Sequence, residues 1–168
     1  MAASAGGATG QQLGQWVIFT LGPEEYAVKA TQVQEIARLS TFTHVPGMPS
    51  FIKGVINLRG KIVPILDLKS RFRIEEAKNN EASTRIIISV VGEQLIGLVV
   101  DAVSGVVRIP ASQIDPIPAT LPKVDAEYLV GVGKLQDRLV VLLNLDRMLT
   151  DFEKGLLREV KVEPSANA

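Results

Sequence analysis

The chain contains one pattern twice. Laid over itself at a separation of 77, residues 51–68 run without a gap against residues 128–145, with Phe51 on Tyr128 and Leu68 on Leu145. Gly54 falls on Gly131, Val55 on Val132, Leu58 on Leu135, Val63 on Val140, Leu66 on Leu143 and Asp67 on Asn144, while Ile62 and Ile65 both fall on leucine. An upstream stretch repeats at a separation of 70, with Ala27 on Gly97, Val28 on Leu98, Val33 on Val103 and Ile36 on Val106. The change of separation is what connecting loops of unequal length produce. Each copy holds several short apolar runs cut by turn residues, and a unit of that kind removes its exposed sheet edges by closing on itself. The expected fold is therefore all-β, two small β-barrels in tandem.

Local signals agree. WVIFTL and EYAV flank Gly22-Pro23-Glu24, the turn of a hairpin. Leu95 to Val100, LIGLVV, reads as a buried strand. TQVQEIAR, residues 31–38, is compatible with a helical turn or an irregular strand entry. Residues 73–84 have nothing to bury and read as an exposed connection, and the prolines of PASQIDPIPATLP prevent regular pairing. Asp146 could cap a short C-terminal helix with Met148, Leu149, Phe152, Leu156 and Val160 on one face. Residues 1–14 and 161–168 are expected to be flexible tails around one domain, 15–160. Its two subdomains are expected near 20–80 and 85–145, with end strands crossing over.

Composition removes whole classes of function. With 18 Lys+Arg against 18 Asp+Glu there is no field of one sign to gather nucleic-acid phosphates. With no cysteine there is no disulfide, thiolate metal site or thiol nucleophile. The N-terminus lacks the basic and apolar segments of a signal peptide, and no run reaches the roughly 20 apolar residues of a membrane span, so a cytoplasmic protein without membrane insertion is expected. Gly54 to Lys61 fails as a phosphate loop, since its glycines are wrongly spaced and Ile62 stands where Ser/Thr would hold magnesium. The single histidine, His44, lies in a loop without acidic or serine neighbours, and Asp67, Asp101 and Asp146 follow apolar runs as caps or terminators do. No metal-ligand spacing or cofactor motif emerges. A binding module fits better than an enzyme.

The repeat also points to a site, because the copies share a frame but not a tip. Asn57, Arg59, Gly60 and Pro64 of the first align with Lys134, Gln136, Asp137 and Val141 of the second. If the barrel itself required Arg-Gly, both copies would be expected to carry it. Two readings stay open: a recognition arginine, or a solvated arginine beside a glycine that supplies the turn. Pro64 implies an edge strand or a bulge.

The runs FTLGPEEYAVKATQVQEI, VPGMPSFIKGVINLRGKIVPILDL, GLVVDAVSGV and EYLVGVGKLQDRLVVLLNL closely resemble the CheW family of bacterial chemotaxis coupling proteins, in order from about Gln15 to Leu149. The resemblance implies two pseudo-symmetric SH3-like five-stranded barrels with a short C-terminal helix. It also implies a non-enzymatic scaffold joining the cytoplasmic tips of chemoreceptors to the regulatory domain of the histidine kinase CheA. Such a protein is recruited to membrane-associated receptor arrays, where like surfaces can pair into rings. On the family pattern Val33, Glu35, Gly54, Arg59 and Val106 lie at or near the receptor groove, Arg59 and Glu35 as a charged pair. Arg38, Val45 and Gly97 are the candidates for the kinase surface. The family can present an aromatic near Thr120 for a second ring contact; ATLPKVDA here does not. The alternatives are an adaptor for a parallel pathway, such as type IV pilus or surface sensing, and a module binding a small molecule between the barrels.

Overall fold

The computed structural model describes residues 14–39, 41–48, 51–72, 74, 82–117 and 128–148. The expected N-terminal tail up to residue 13, the acidic residues Glu75, Glu76 and Glu81, the Thr120 loop and everything after Met148 lie outside the described residues.

Eleven described strands form two sheets. The first copy supplies β1 (Gln15–Leu21), β2 (Glu24–Lys29), β3 (Val33–Arg38), β4 (Ile52–Leu58) and β5 (Lys61–Asp67). The second supplies β6 (Arg85–Val91), β7 (Gln94–Val100), β8 (Ala102–Arg108), β9 (Ile114–Asp115), β10 (Leu129–Leu135) and β11 (Arg138–Leu143). One sheet has the order β3-β6-β7-β5-β4, the other β8-β1-β2-β11-β10-β9. The copies have exchanged their first hairpins: β6 and β7 sit among β3, β4 and β5, and β1 and β2 sit among β8, β10 and β11. Under the two sequence separations each of the first sheet's five strands matches the strand in the same place of the second.

The equivalence extends to irregularities. Ladders slip between Val33 and Glu35 on β3 and at the matching place opposite Ile18 and Phe19 on β8, and again between Ile52 and Gly54 and between Leu129 and Gly131. Such bulges bend strands and let a short sheet curl. Asp67 accepts from the Ser70 N–H at 3.3 Å and caps α1 (Leu68–Arg71); at the same place in the second copy Asn144 accepts from the Arg147 N–H at 3.1 Å. The C-terminal helix is therefore capped by Asn144 rather than Asp146, because its first turn starts at residue 145, with residues 145–148 described. The proline-rich segment is also more regular than expected. Asp115 and Ile114 pair with Val132 and Gly133, since neither they nor their partners are prolines.

The exchange explains the near-continuous apolar runs. Trp16, Ile18 and Ala27 fill the second barrel with Ile109, Val140 and Leu142, while Val17, Phe19, Leu21 and Val28 on the opposite face pack between the barrels. Ile86 and Ile88 fill the first barrel with Val63 and Ile65, and Ile87 and Val91 turn to the shared core. A strand buried on both faces loses the apolar-polar alternation of a half-exposed one. Phe19, Tyr26, Phe72 and Tyr128 run through the shared core with ring centroids 6.2, 5.8 and 6.4 Å apart.

Asp101 pins this arrangement. Its carboxylate accepts from the Gly22 N–H at 2.7 Å and from Lys69 Nζ at 3.0 Å, joining the β1–β2 turn to α1. Asp101→Ala leaves a partly buried ammonium and a turn N–H without that partner, and is expected to cost about 2–3 kcal/mol by denaturant titration. Ser89 is the opposite case: its hydroxyl is buried without a hydrogen-bond partner at the place where the other copy has Phe19. Ser89→Ala is expected to leave the unfolding midpoint unchanged or raise it, because no bond is lost and desolvation is relieved.

Candidate functional site

The site grows from the β4–β5 hairpin. Leu58 pairs with Lys61, leaving Arg59 and Gly60 as a two-residue turn with φ of 50° and 89°. Two left-handed residues are the signature of the turn that matches strand twist. Asn57 supports it by accepting from the Gly60 N–H at 2.8 Å. Lys134 at the corresponding place cannot accept, and there Gln136 and Asp137 are not left-handed. Arg59 is the single non-glycine residue with positive φ among the described residues, a conformation that costs an L-residue about 1–2 kcal/mol.

From this tip Arg59 Nη2 donates to Glu35 Oε1 at 2.7 Å. Glu35 is on β3 and Arg59 follows β4, the two edge strands of their sheet, so the ion pair spans the seam where the curled sheet meets itself. The arginine side chain is 66% exposed and the glutamate side chain 32%, a setting in which a pair contributes at most about 1 kcal/mol. Its effect is orientation: the arginine is held in one pose with donors still facing solvent. At the second seam the counterparts are Gly105 and Gln136, which cannot make such a pair.

The other expected receptor residues divide. Val33 is half-buried, two residues before Glu35 on the same strand, and packs against the shared core. Val106 lies on β8 in the other sheet, 53% exposed, at the counterpart of Ile36, itself 42% exposed. Gly54 is buried: a Cβ there would lie 2.5 Å from the Thr43 carbonyl oxygen, because Thr43 and Val55 exchange backbone hydrogen bonds of 2.9 Å. It can influence a partner only through that corner. Pro64 is tolerated because β5 takes up β7 only from Ile65 onward, so Pro64 stands on a local edge of an interior strand.

Of the kinase candidates, Arg38 is exposed at the end of β3, opposite Arg85, and Val45 is half-buried in the β3–β4 loop. Gly97 is a correction. It is buried inside the first barrel, where a Cβ would lie 2.5 Å from Ile65 Cδ1 and 2.9 Å from Ile86 Cγ2, so it offers no surface to a partner. Sequence reasoning passed over Ile62 and Leu139, which occupy equivalent places on β5 and β11 and are 65% and 63% exposed. The signal was present, since strict alternation from the buried Val63 and Val140 turns both outward. No group of acidic or histidine side chains that could hold a metal occurs among the described residues. No described helix is long and apolar enough to cross a membrane.

Two pseudo-symmetric barrels, one distinguished by a preset arginine at its seam, define a double-barrel domain with an exposed candidate binding site. The chain belongs to the CheW-like domain family, whose model matches residues 15–153. It is 40% identical over 152 residues to the Chemotaxis protein CheW of Klebsiella aerogenes, covering 90% of this chain and 91% of that one. It is 34% identical to the Chemotaxis protein CheW of Helicobacter pylori over 80% of this chain and 81% of that one, and 34% identical to Protein FrzA of Myxococcus xanthus over 80% and 84%. The crystal structure of the scaffolding protein TtCheW from Thermoanaerobacter tengcongensis superposes with a TM-score of 0.72 at 37% identity, over 78% of this chain and 84% of that one. The all-β fold of two SH3-like barrels is that of the family, and the family is not enzymatic.

Proposed function

We propose that this chain couples the cytoplasmic tips of chemoreceptors to the regulatory domain of the kinase CheA, as a scaffold recruited to receptor arrays from the cytoplasm. The observation that carries the reading is the Arg59–Glu35 pair, built on one seam of a duplicated fold and absent from the other. A helical receptor tip presents carboxylates and apolar side chains in ridges, which an oriented guanidinium near Val33 would engage. Arg38 and Val45 remain the kinase-facing candidates, joined by the exposed Ile62. The matching exposure of Ile62 and Leu139 supports contacts in which one barrel meets a like barrel, as ring assembly requires. Similarity to Protein FrzA as well as to proteins named CheW keeps a parallel sensory pathway as the second reading.

The test is binding of wild-type protein to a CheA regulatory domain and to a receptor cytoplasmic fragment. Both are expected to bind, through interfaces of about 800 Å² per partner. A well-folded protein that binds neither would overturn the coupling role.

A further inference from the structure

We propose that the end of the second barrel nearest the start of β1 is a binding site for a small anionic amphiphile, an unbranched acyl carboxylate. A cleft of about 330 Å³ opens there, within the range of small-ligand sites. Trp16, Ile109 and Ile114 supply its apolar lining; Gln15, Lys29 and Thr31 supply polar groups at its mouth. Trp16 and Ile109 are buried, at 5% and 1% exposure, whereas Lys29 and Thr31 are exposed.

Comparison of the two barrels shows how this end differs. The separation of 70 places Trp16 on Ile86, Lys29 on Val99 and Ile109 on Leu39. Ile114 and Phe42 correspond because each precedes the carbonyl that crowds the glycine shared by the two copies: Thr43 against Gly54 at 2.5 Å and Asp115 against Gly131 at 2.6 Å. In the first barrel Leu39, Phe42 and Val99 all pack onto the core of Val63, Ile65, Ile86 and Ile88. In the second, an isoleucine replaces the phenylalanine and a lysine replaces the valine. Although Trp16 is bulkier than the Ile86 it matches, a cleft stays open beside it, and Lys29 adds a positive charge at this end of one barrel only.

The charge selects the ligand. Lys29 is the cross-strand partner of Trp16 and so shares its face of the sheet, which places one cation beside the cleft. The nearby Asp115 is paired with Lys134 at 3.3 Å. An ammonium beside an apolar cleft suits a carboxylate whose chain enters the cleft, combining a charge-assisted hydrogen bond with burial of methylenes. This inference does not depend on the coupling role.

Trp16 is the only tryptophan, so octanoate titrated into the intact protein can be followed by its fluorescence and by calorimetry. Saturable binding is expected, with octanol weaker by about tenfold or more, the value of one charge-assisted hydrogen bond. Lys29→Glu, an exposed change, is expected to weaken octanoate by a similar factor, and Ile114→Phe to abolish binding by refilling the cleft. Octanol binding as tightly as octanoate, octanoate binding unchanged in folded Lys29→Glu, or no saturable signal would each overturn the proposal. So would Lys29-dependent binding to phosphatidylglycerol vesicles with none to octanoate, which would transfer the site to a lipid surface.

Discussion

Gly54→Asp is expected to lower stability by about 3 kcal/mol or more, and to remove receptor coupling only as a consequence. The Thr43 carbonyl oxygen stands 2.5 Å from where the new Cβ must go, and that oxygen is fixed by its bond from the Val55 N–H. Neither backbone can yield without breaking the bridge that ties the β3–β4 loop to β4. The added carboxylate would be buried against an oxygen of like partial charge, so desolvation compounds the clash. Thermal unfolding and receptor binding measured on the same preparation decide the matter. A variant with wild-type melting behaviour and no receptor affinity would return Gly54 to the recognition surface itself.

Arg59→Gly is expected to do the reverse, leaving the fold intact and weakening receptor binding. Glycine takes φ of 50° without the penalty that arginine carries, which offsets both the lost surface ion pair and the extra freedom of the unfolded chain. Net stability is expected to stay within about 1 kcal/mol of wild type. Affinity for a receptor fragment is expected to fall about tenfold or more, because a hydrogen bond to a charged group is worth about 1.5–3 kcal/mol, while CheA binding is retained. Arg59→Lys adds a control: it keeps the charge but lacks the planar fork, so partial rescue would assign the effect to charge and no rescue to geometry. A large fall in melting temperature for Arg59→Gly would instead make the arginine a clamp of the barrel seam.

The sequence carried the frame of this fold more fully than its connectivity. Apolar positions repeat because both copies bury the same faces, and even the bulges opposite Ile18 and beside Gly54 recur. End strands were expected to cross over, but which hairpin enters which sheet left no such trace. β1 and β6 have the same texture, and an alignment of equivalent positions is blind to which sheet receives each strand. Gly97 was misplaced for a related reason: a strand glycine marks close approach, but by what is a tertiary fact, here Ile65 and Ile86. Arg59 stood out through the asymmetry of the copies. Its left-handed backbone and the acceptor role of Asn57 depend on turn geometry, which Asn-Leu-Arg-Gly suggests only once its register is known.

The exchanged hairpins also bear on how the molecule folds and breaks. A cut in the connection between β5 and β6 would leave two fragments, each holding a hairpin that belongs in the other's sheet. Neither piece is a self-sufficient module, and reconstitution is expected only when both are mixed. Pairings such as Gln15 with Arg108 join distant parts of the chain, which slows folding and ties the fate of one barrel to the other. Two barrels are expected to melt as one.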